Sequence, residues 1–397
     1  MPSHAPCALP DGRTFSILIE AVRHLYVHVP FCDGTCRYCG FYRCPASAKH
    51  HASFAPLPAA ELGLWRPRQL PAPETLYLGG GTPSVLGRHL SLLLDRLRDA
   101  VCLSRLRECT VEASPQQISP AHASAWRRRG VTRVSLGAQA FDDAVLREMG
   151  RRHGADDIVR AFVRLRQAGG FQIGLDLIAG WPGVDAIRWQ RSIDAVCRLL
   201  PDHVSVYALS LDEGSALSDA VARGAVRLPD ANATLDALAQ AESWLTGAGY
   251  QRYEISNYAL PGAQCRHHLA IWRGEDYLGL GPAAASRVGC WRWTQAPDLE
   301  AYVAAVSQGK PPPASRTRET RAADRFERFV TGLRLAEGAD PDRFASPKLR
   351  AAQKQSAVWR QRLAHMAELG LTRRLGTRWR LTPRGMEVAD GVMRELA

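Results

Sequence analysis

Three cysteines fall within eight positions: Cys32-Asp-Gly-Thr-Cys36-Arg-Tyr-Cys39. Three thiolates in one tight loop can hold three irons of a [4Fe–4S] cube, leaving the fourth iron open to chelation by a small molecule. Structural zinc is the competing chemistry. It wants four closed ligands, and Cys44 or His28 can supply the fourth, so counting leaves zinc open. A second stretch, Gly79-Gly80-Gly81-Thr82-Pro83, follows one β-like run and precedes a helical one. Glycines there let backbone N–H and C=O groups approach a ligand closely. The stretch lacks the Gly-Lys-Ser/Thr ending of a phosphate loop and the spacing of a dinucleotide site, which argues against a triphosphate ligand.

The elements that must position these residues alternate. Short runs rich in Val, Leu, Ile and Tyr predict strands at 24–30, 75–78, 109–113, 133–137, 173–178 and 203–209. Amphipathic patterns predict helices at 86–101, 120–129, 142–149, 155–168 and 184–200. Strand-then-helix repeated in this way means parallel strands in an open sheet or barrel, an α/β fold. Chemistry in such folds gathers at the C-terminal ends of the strands. Cys32, Gly79–Thr82, Glu112, Gln139, Asp176 and Tyr207 all fall at that edge. Farther on, a helix is expected at 230–246, a strand at 252–256, a glycine-punctuated turn at 279–282 and a linker at Lys310-Pro-Pro-Pro. Helical patterns at 320–335, 348–368 and 383–395, with a hairpin at 371–381, predict a small winged-helix-like C-terminal domain. The divisions are a tail over 1–22, the barrel over 23–212, its completion and cap over 213–309, and the C-terminal domain over 310–397.

Composition agrees with a packed globular chain: 397 residues, 46% hydrophobic and 23% charged. There is no apolar run long enough to span a bilayer, and Asp11 and Arg13 sit where a signal core would be, so a cytoplasmic location is expected. Ten cysteines are too sparse for a secreted disulfide scaffold. Of the net charge of +12, much lies after Lys310, with 18 Lys and Arg against 10 Asp and Glu. That basic tail suits an anionic lipid surface or nucleic acid. Most of the basic residues are Arg in an Ala-rich chain, a bias that base composition alone can produce, and no nucleic-acid partner is expected.

CxxxCxxC after the first strand and GGGTP after the second resemble the radical S-adenosylmethionine (SAM) superfamily. The similarity is greatest to the branch that holds oxygen-independent coproporphyrinogen III oxidase and the HemW-type heme chaperones. It is carried by LYVHVPFC (25–32), YLGGGTPSVL (77–86), TVEASP (110–115), GVTRVSLGAQAFDDAVL (130–146), LDLIAGWPG (175–183), HVSVYALSLDEGS (203–215), GYQRYEISNYALPG (249–262) and WRGEDYLGLGPAAASR (272–287), with FVTGLRLAEG (329–338) and RLTPRG (380–385) in the tail. The resemblance implies a partial (β/α)6 barrel, a [4Fe–4S] cluster on Cys32, Cys36 and Cys39, and SAM on the open iron. It also implies an electron donor and reductive cleavage of SAM to a 5′-deoxyadenosyl radical. Position by position it places Tyr26 and Tyr38 beside SAM, Gly80, Gly81 and Thr82 on its methionine moiety, and Glu112, Gln139, Arg151 and Asp176 at the remaining polar contacts. Arg152 competes with Arg151 for its role, and the tyrosines can equally serve packing.

Two features separate the subfamilies. The oxidase type carries a further Cys two positions after the cluster motif, where this chain has Phe41, and it has a longer N-terminal extension. Both favour the chaperone type, whose partners are heme and a heme-acceptor protein, with peripheral membrane contact. That type carries a His-Asn-x-x-Tyr-Trp signature, degenerate here as His267-His268-Leu269-Ala270-Ile271-Trp272. His267 is therefore the expected heme ligand, with His268 and Cys265 as alternatives, on a turn near the barrel mouth. A radical SAM enzyme acting on a porphyrin is the second reading, and a zinc-stabilised nucleic-acid binder the third.

Overall fold

The computed structural model describes residues 22–65, 72–344 and 350–397. All but the last residue of the expected N-terminal tail, and the expected helix start at Lys348, lie outside them. Six strands lie side by side in chain order, each parallel to the next: β1 (His24–Val29), β2 (Thr75–Gly80), β3 (Glu108–Ala113), β4 (Arg133–Gln139), β5 (Gln172–Ala179) and β6 (His203–Ala208). Helices Arg88–Ala100, Pro120–Arg128, Asp143–Glu148, Ala155–Ala168 and Ala186–Leu199 connect them. This is the α/β arrangement that the alternation predicts, and the partial barrel that the resemblance implies.

Parallel strands covered on both faces usually read as unbroken apolar runs. These strands alternate instead. Leu25, Val27 and Val29, Leu76 and Leu78, Val134 and Leu136, and Val204 and Val206 are buried against the helices in one core. Their neighbours are polar and meet across the inner face: His24 with Thr75, Tyr77 with Glu112, Ser135 with Asp176. The period-2 pattern thus sends apolar side chains outward to the helices and polar ones into the lumen.

The sheet runs beyond the six strands at both edges. Past β6 lie the short antiparallel β8 (Asn257–Ala259) and β7 (Gln251–Arg252), two pieces where one strand over 252–256 was expected. Past β1, the expected turn at 279–282 starts two residues late: β9 (Tyr277–Leu280) pairs parallel with β1, Tyr26 facing Gly279, and the turn follows from Gly281, whose carbonyl accepts from the Ala284 N–H at 3.1 Å. Gly279 punctuates no turn; the backbone at Ala285 packs where a side chain at 279 would stand. Antiparallel β10 (Ala285–Val288), β11 (Trp291–Gln295) and β12 (Ala314–Arg318) follow. The proline run therefore leads into an edge strand of the main sheet, and the chain leaves that sheet only after Arg318, later than the expected boundary at 310.

The C-terminal segment has its own core, with Phe329 and Trp359 stacked at 4.6 Å over Leu333, Leu363, Trp379 and Leu381. Helices Arg321–Leu333 and Arg350–Glu368 precede a hairpin of β13 (Thr372–Leu375) and β14 (Arg378–Leu381). The expected last helix is broken into Pro383–Glu387 and Ala389–Glu395. Arg328 ties this unit to the sheet through Asp276 at 2.7 Å and the Gly274 carbonyl, and Arg292 reaches back to Asp324 at 2.7 Å.

Candidate functional site

The loop after β1 is braced from three distant parts of the chain. A two-residue strand, Phe31–Cys32, pairs with Cys44–Pro45, so the cysteine segment closes on itself. The Arg37 N–H donates to the Met149 carbonyl at 3.0 Å, and the Leu217 N–H donates to the Arg37 carbonyl at 2.7 Å. The Gly40 N–H donates to Asp212 at 3.0 Å. The three thiols are half-buried. Burial pushes the Cys32 thiol up to about 11 and also raises that of Cys39. Cys32 Sγ lies 3.4 Å from Thr82 Oγ1, and Arg151 Nη1 donates to Cys36 Sγ at 3.4 Å.

A cavity of about 430 Å³ opens at the C-terminal ends of β1 to β6. Cys32, Cys36, Cys39, Tyr38, Gly80, Gly81, Thr82, Glu112, Gln139, Arg151 and Asp176 all line it. The strand ends are shaped for close approach. Gly80 sits at φ +105°, where L side chains are strained, and a Cβ on Gly79 would press on the Glu112 carboxylate. Glu112 accepts from the Tyr77 hydroxyl at 2.7 Å and the Gly80 N–H at 3.2 Å. Burial, and then the nearby Asp176, raise Glu112 to about 7. Asp176 accepts from Ser135 at 3.0 Å and is raised by its own burial. A β-bulge between Gly137 and Gln139 puts Gln139 at φ +67°, one of three positive-φ non-glycine residues among those described. Such backbone persists only where the surroundings hold it, here at the cavity wall.

Two expected residues do not line the cavity. Tyr26 lies one layer below, its hydroxyl 3.1 Å from His28 Nδ1. His267 is farther away, and it corrects the expectation of a turn near the barrel mouth. It sits in a helix, Arg266–Trp272, and is 2% exposed at the opposite, N-terminal end of the strands. Its Nδ1 is 2.8 Å from Thr75 Oγ1, which is 2.9 Å from His24 Nδ1, whose Nε2 is 3.0 Å from Glu275. Glu108 receives the backbone N–H groups of Arg266 at 2.8 Å and His267 at 3.0 Å and the Cys265 thiol at 3.3 Å, so Cys265 too is an interior group. The polar residues after Gly262 are drawn inward because the lumen floor is itself polar. Burial holds His267 and His268 neutral, well below the usual imidazole range for His267 and at about 4 for His268.

The radical SAM superfamily model matches residues 26–196, and the model of the HemN C-terminal domain matches 320–388. The chain is 35% identical to the heme chaperone HemW of Mycobacterium tuberculosis, over 99% of this chain and 98% of that protein. It belongs to the HemW family of radical SAM proteins. The Escherichia coli HemW is 32% identical over 79% of this chain and 83% of its own length. Among solved structures, coproporphyrinogen III oxidase HemN of E. coli superposes with a TM-score of 0.78 at 23% identity, over 96% of this chain and 92% of that one, and so shares the fold.

As a member of the HemW family the protein has a [4Fe–4S] cluster and SAM as its cofactors, and needs a reductant. The residues present fit both. Among the described residues no three His, Cys, Asp or Glu side chains converge on a single point. A cube instead needs its thiolates spread around it, one per iron. Beside them the Arg151 guanidinium Nε is buried without a partner. The donor set of Glu112, Gln139, Arg151 and Asp176 offers both acceptors and donors to a zwitterionic ligand. Sequence reasoning missed the supports of this wall. Ser135 and Ser114 lie inside stretches that carry the resemblance but were not singled out there, and Asp212 reaches Gly40 across 172 positions of sequence.

Proposed function

We propose that this protein is a heme chaperone, binding SAM at a site-open [4Fe–4S] cluster and delivering heme to an acceptor protein. The observation that carries the reading is the match to HemW of M. tuberculosis over 99% of this chain and 98% of that protein. In this reading Cys32, Cys36 and Cys39 hold three irons, and Tyr38, Gly80, Gly81, Thr82, Glu112, Gln139, Arg151 and Asp176 hold SAM, with Tyr26 packing beneath. When bound, the cluster supplies an electron to SAM; that chemistry is the cofactor's own. The chain's part is placement. Arg151, fixed to the Gly137 carbonyl at 2.9 Å, presents a cation toward a carboxylate. Asp176, held by Ser135, accepts from hydroxyls. Glu112 sits near its midpoint at neutral pH, and a cationic ligand draws it to the carboxylate form.

The acceptor protein, a cytoplasmic location and peripheral membrane contact belong to the same proposal. No helix among the described residues is long and apolar enough to cross a membrane. The hairpin exposes Arg373, Arg374 and Leu375 together, a basic and apolar tip suited to an anionic lipid surface.

Anaerobic incubation of the cluster-loaded protein with heme, and separately with coproporphyrinogen, SAM and reductant, tests the reading. A defined Soret band with transfer to an apo-acceptor, and no decarboxylated porphyrin by mass, is expected. Coproporphyrinogen turnover without heme binding would replace the chaperone with a porphyrin-modifying enzyme.

A further inference from the structure

The cavity and its rim differ in character. The inner end carries the polar side chains of Glu112, Ser135, Gln139 and Asp176, and the cavity is of a size for one small cofactor. The outer wall is apolar and open. Phe41 is 65% exposed, two positions past the last cysteine, and Tyr207 is 40% exposed at the end of β6, with Leu209 lining the cavity beside it. Cations stand among them. Arg152 lines the cavity, exposed against Gly34, with no hydrogen bond or ion pair among the described residues. Arg43 is anchored over the loop by the Cys39 carbonyl at 2.8 Å and the Phe41 carbonyl at 3.3 Å, and has no carboxylate partner among the described residues. The acids at this rim are already engaged, Asp33 by Gln116 and Gln117 and Asp212 by Gly40.

Resting on the chaperone reading, we propose that heme binds across this mouth, its macrocycle against Phe41 and Tyr207 and its carboxylates on Arg152 and Arg43. A flat apolar ring with anionic arms matches exposed aromatic faces flanked by guanidinium groups that no carboxylate among the described residues pairs with. The ring is too broad and too apolar for that inner end, so it covers the opening. His267 cannot ligate it there, being buried at the far end of the lumen. Heme and SAM then occupy adjacent layers of one site, and each restricts the other's entry and exit.

Hemin and its dimethyl ester, titrated into the cluster-loaded protein, test this. Wild type is expected to bind hemin about tenfold more tightly than the ester, because the ester cannot pair with the guanidinium groups. Arg152→Gln weakens hemin about fivefold and leaves the ester within twofold. Phe41→Ala weakens both ligands by fivefold or more. Iron content, measured on each variant, reads whether the cysteine loop is intact. If hemin binds wild type and both intact variants within twofold, heme sits elsewhere and this inference is overturned while the chaperone reading stands. If wild type binds no hemin, the chaperone reading itself fails.

Discussion

Replacing Glu108 by leucine should destabilise the protein more than any change at the cavity. Glu108 and Arg133 are 3% and 2% exposed, with Arg133 Nε 3.4 Å from Glu108 Oε2. The carboxylate also receives the first N–H groups of helix Arg266–Trp272, donors that no intrahelical carbonyl can satisfy. Glu108→Leu therefore leaves a buried cation and two buried N–H groups behind. Orphaning one member of a buried pair costs about 3–5 kcal/mol, and each unsatisfied N–H adds about 1–3 kcal/mol where the chain cannot relax. Arg133 keeps its bonds to Gln172 and the Ala263 carbonyl, which limits the damage to the low end of these ranges, so about 5 kcal/mol is expected in all. That is a large share of a typical total of about 5–15 kcal/mol. Glu108→Leu/Arg133→Met removes the stranded charge and should recover about 2 kcal/mol relative to the single change. Urea unfolding followed by far-UV circular dichroism measures both. A single variant within 1 kcal/mol of wild type, or a double variant less stable than the single, would refute the picture of a pair whose charges depend on each other.

Three further outcomes are expected. Changing Cys32, Cys36 and Cys39 together to alanine should abolish iron binding, read by iron analysis and visible absorbance; retained iron would remove these residues as ligands. Asp176→Ala and Gln139→Ala should weaken SAM by roughly 5–150-fold, the equivalent of about 1–3 kcal/mol, with iron content unchanged, read by equilibrium binding. Glu61, fully buried, accepts from Trp65, Gly281, Gln295 and Tyr302, and burial lifts it to about 7. Its folded value lies above its unfolded one, so the folded state binds the extra proton, and stability falls as pH rises from about 4.5 through 7. The contribution lost is roughly 3 kcal/mol. Glu61→Gln should flatten the pH dependence of stability over that window relative to wild type, and an unchanged slope would show that Glu61 does not titrate there.

The helices Ala48–Phe54 and Leu57–Leu64 between β1 and β2 were not expected. Residues 75–200 were readable because each strand there is short, β-rich and followed by an amphipathic helix with clear ends. Asp142 and Asp185, for example, cap the starts of Asp143–Glu148 and Ala186–Leu199. The cavity could be read because its residues fall at strand ends in recurring motifs. The outer sheet could not. β11 and β12 are WRWTQ and ASRTR, in which arginines alternate with aromatic or small residues, a pattern that resembles surface loop as closely as edge strand. His267 was readable as a motif position but not as a buried one. Burial of an imidazole depends on Thr75, Tyr77 and Glu108, brought to it from other strands, and no local pattern announces them.

The pairing of β1 with β9 has a consequence for how the molecule is made. β1 and the cysteine loop leave the ribosome early, yet the outer edge of β1 has no partner until residues 277–280 have been synthesised. At about 5–20 residues per second, that edge stays open for roughly 12–50 s. The loop's own braces arrive in the same interval, at Met149 and then at Asp212 and Leu217. Throughout that time the thiols are exposed on a half-built sheet, open to oxidation and to stray metal. Loading iron before the braces form would require a delivery system that recognises a nascent chain. Loading it afterwards needs only an acceptor whose mouth is open to solvent.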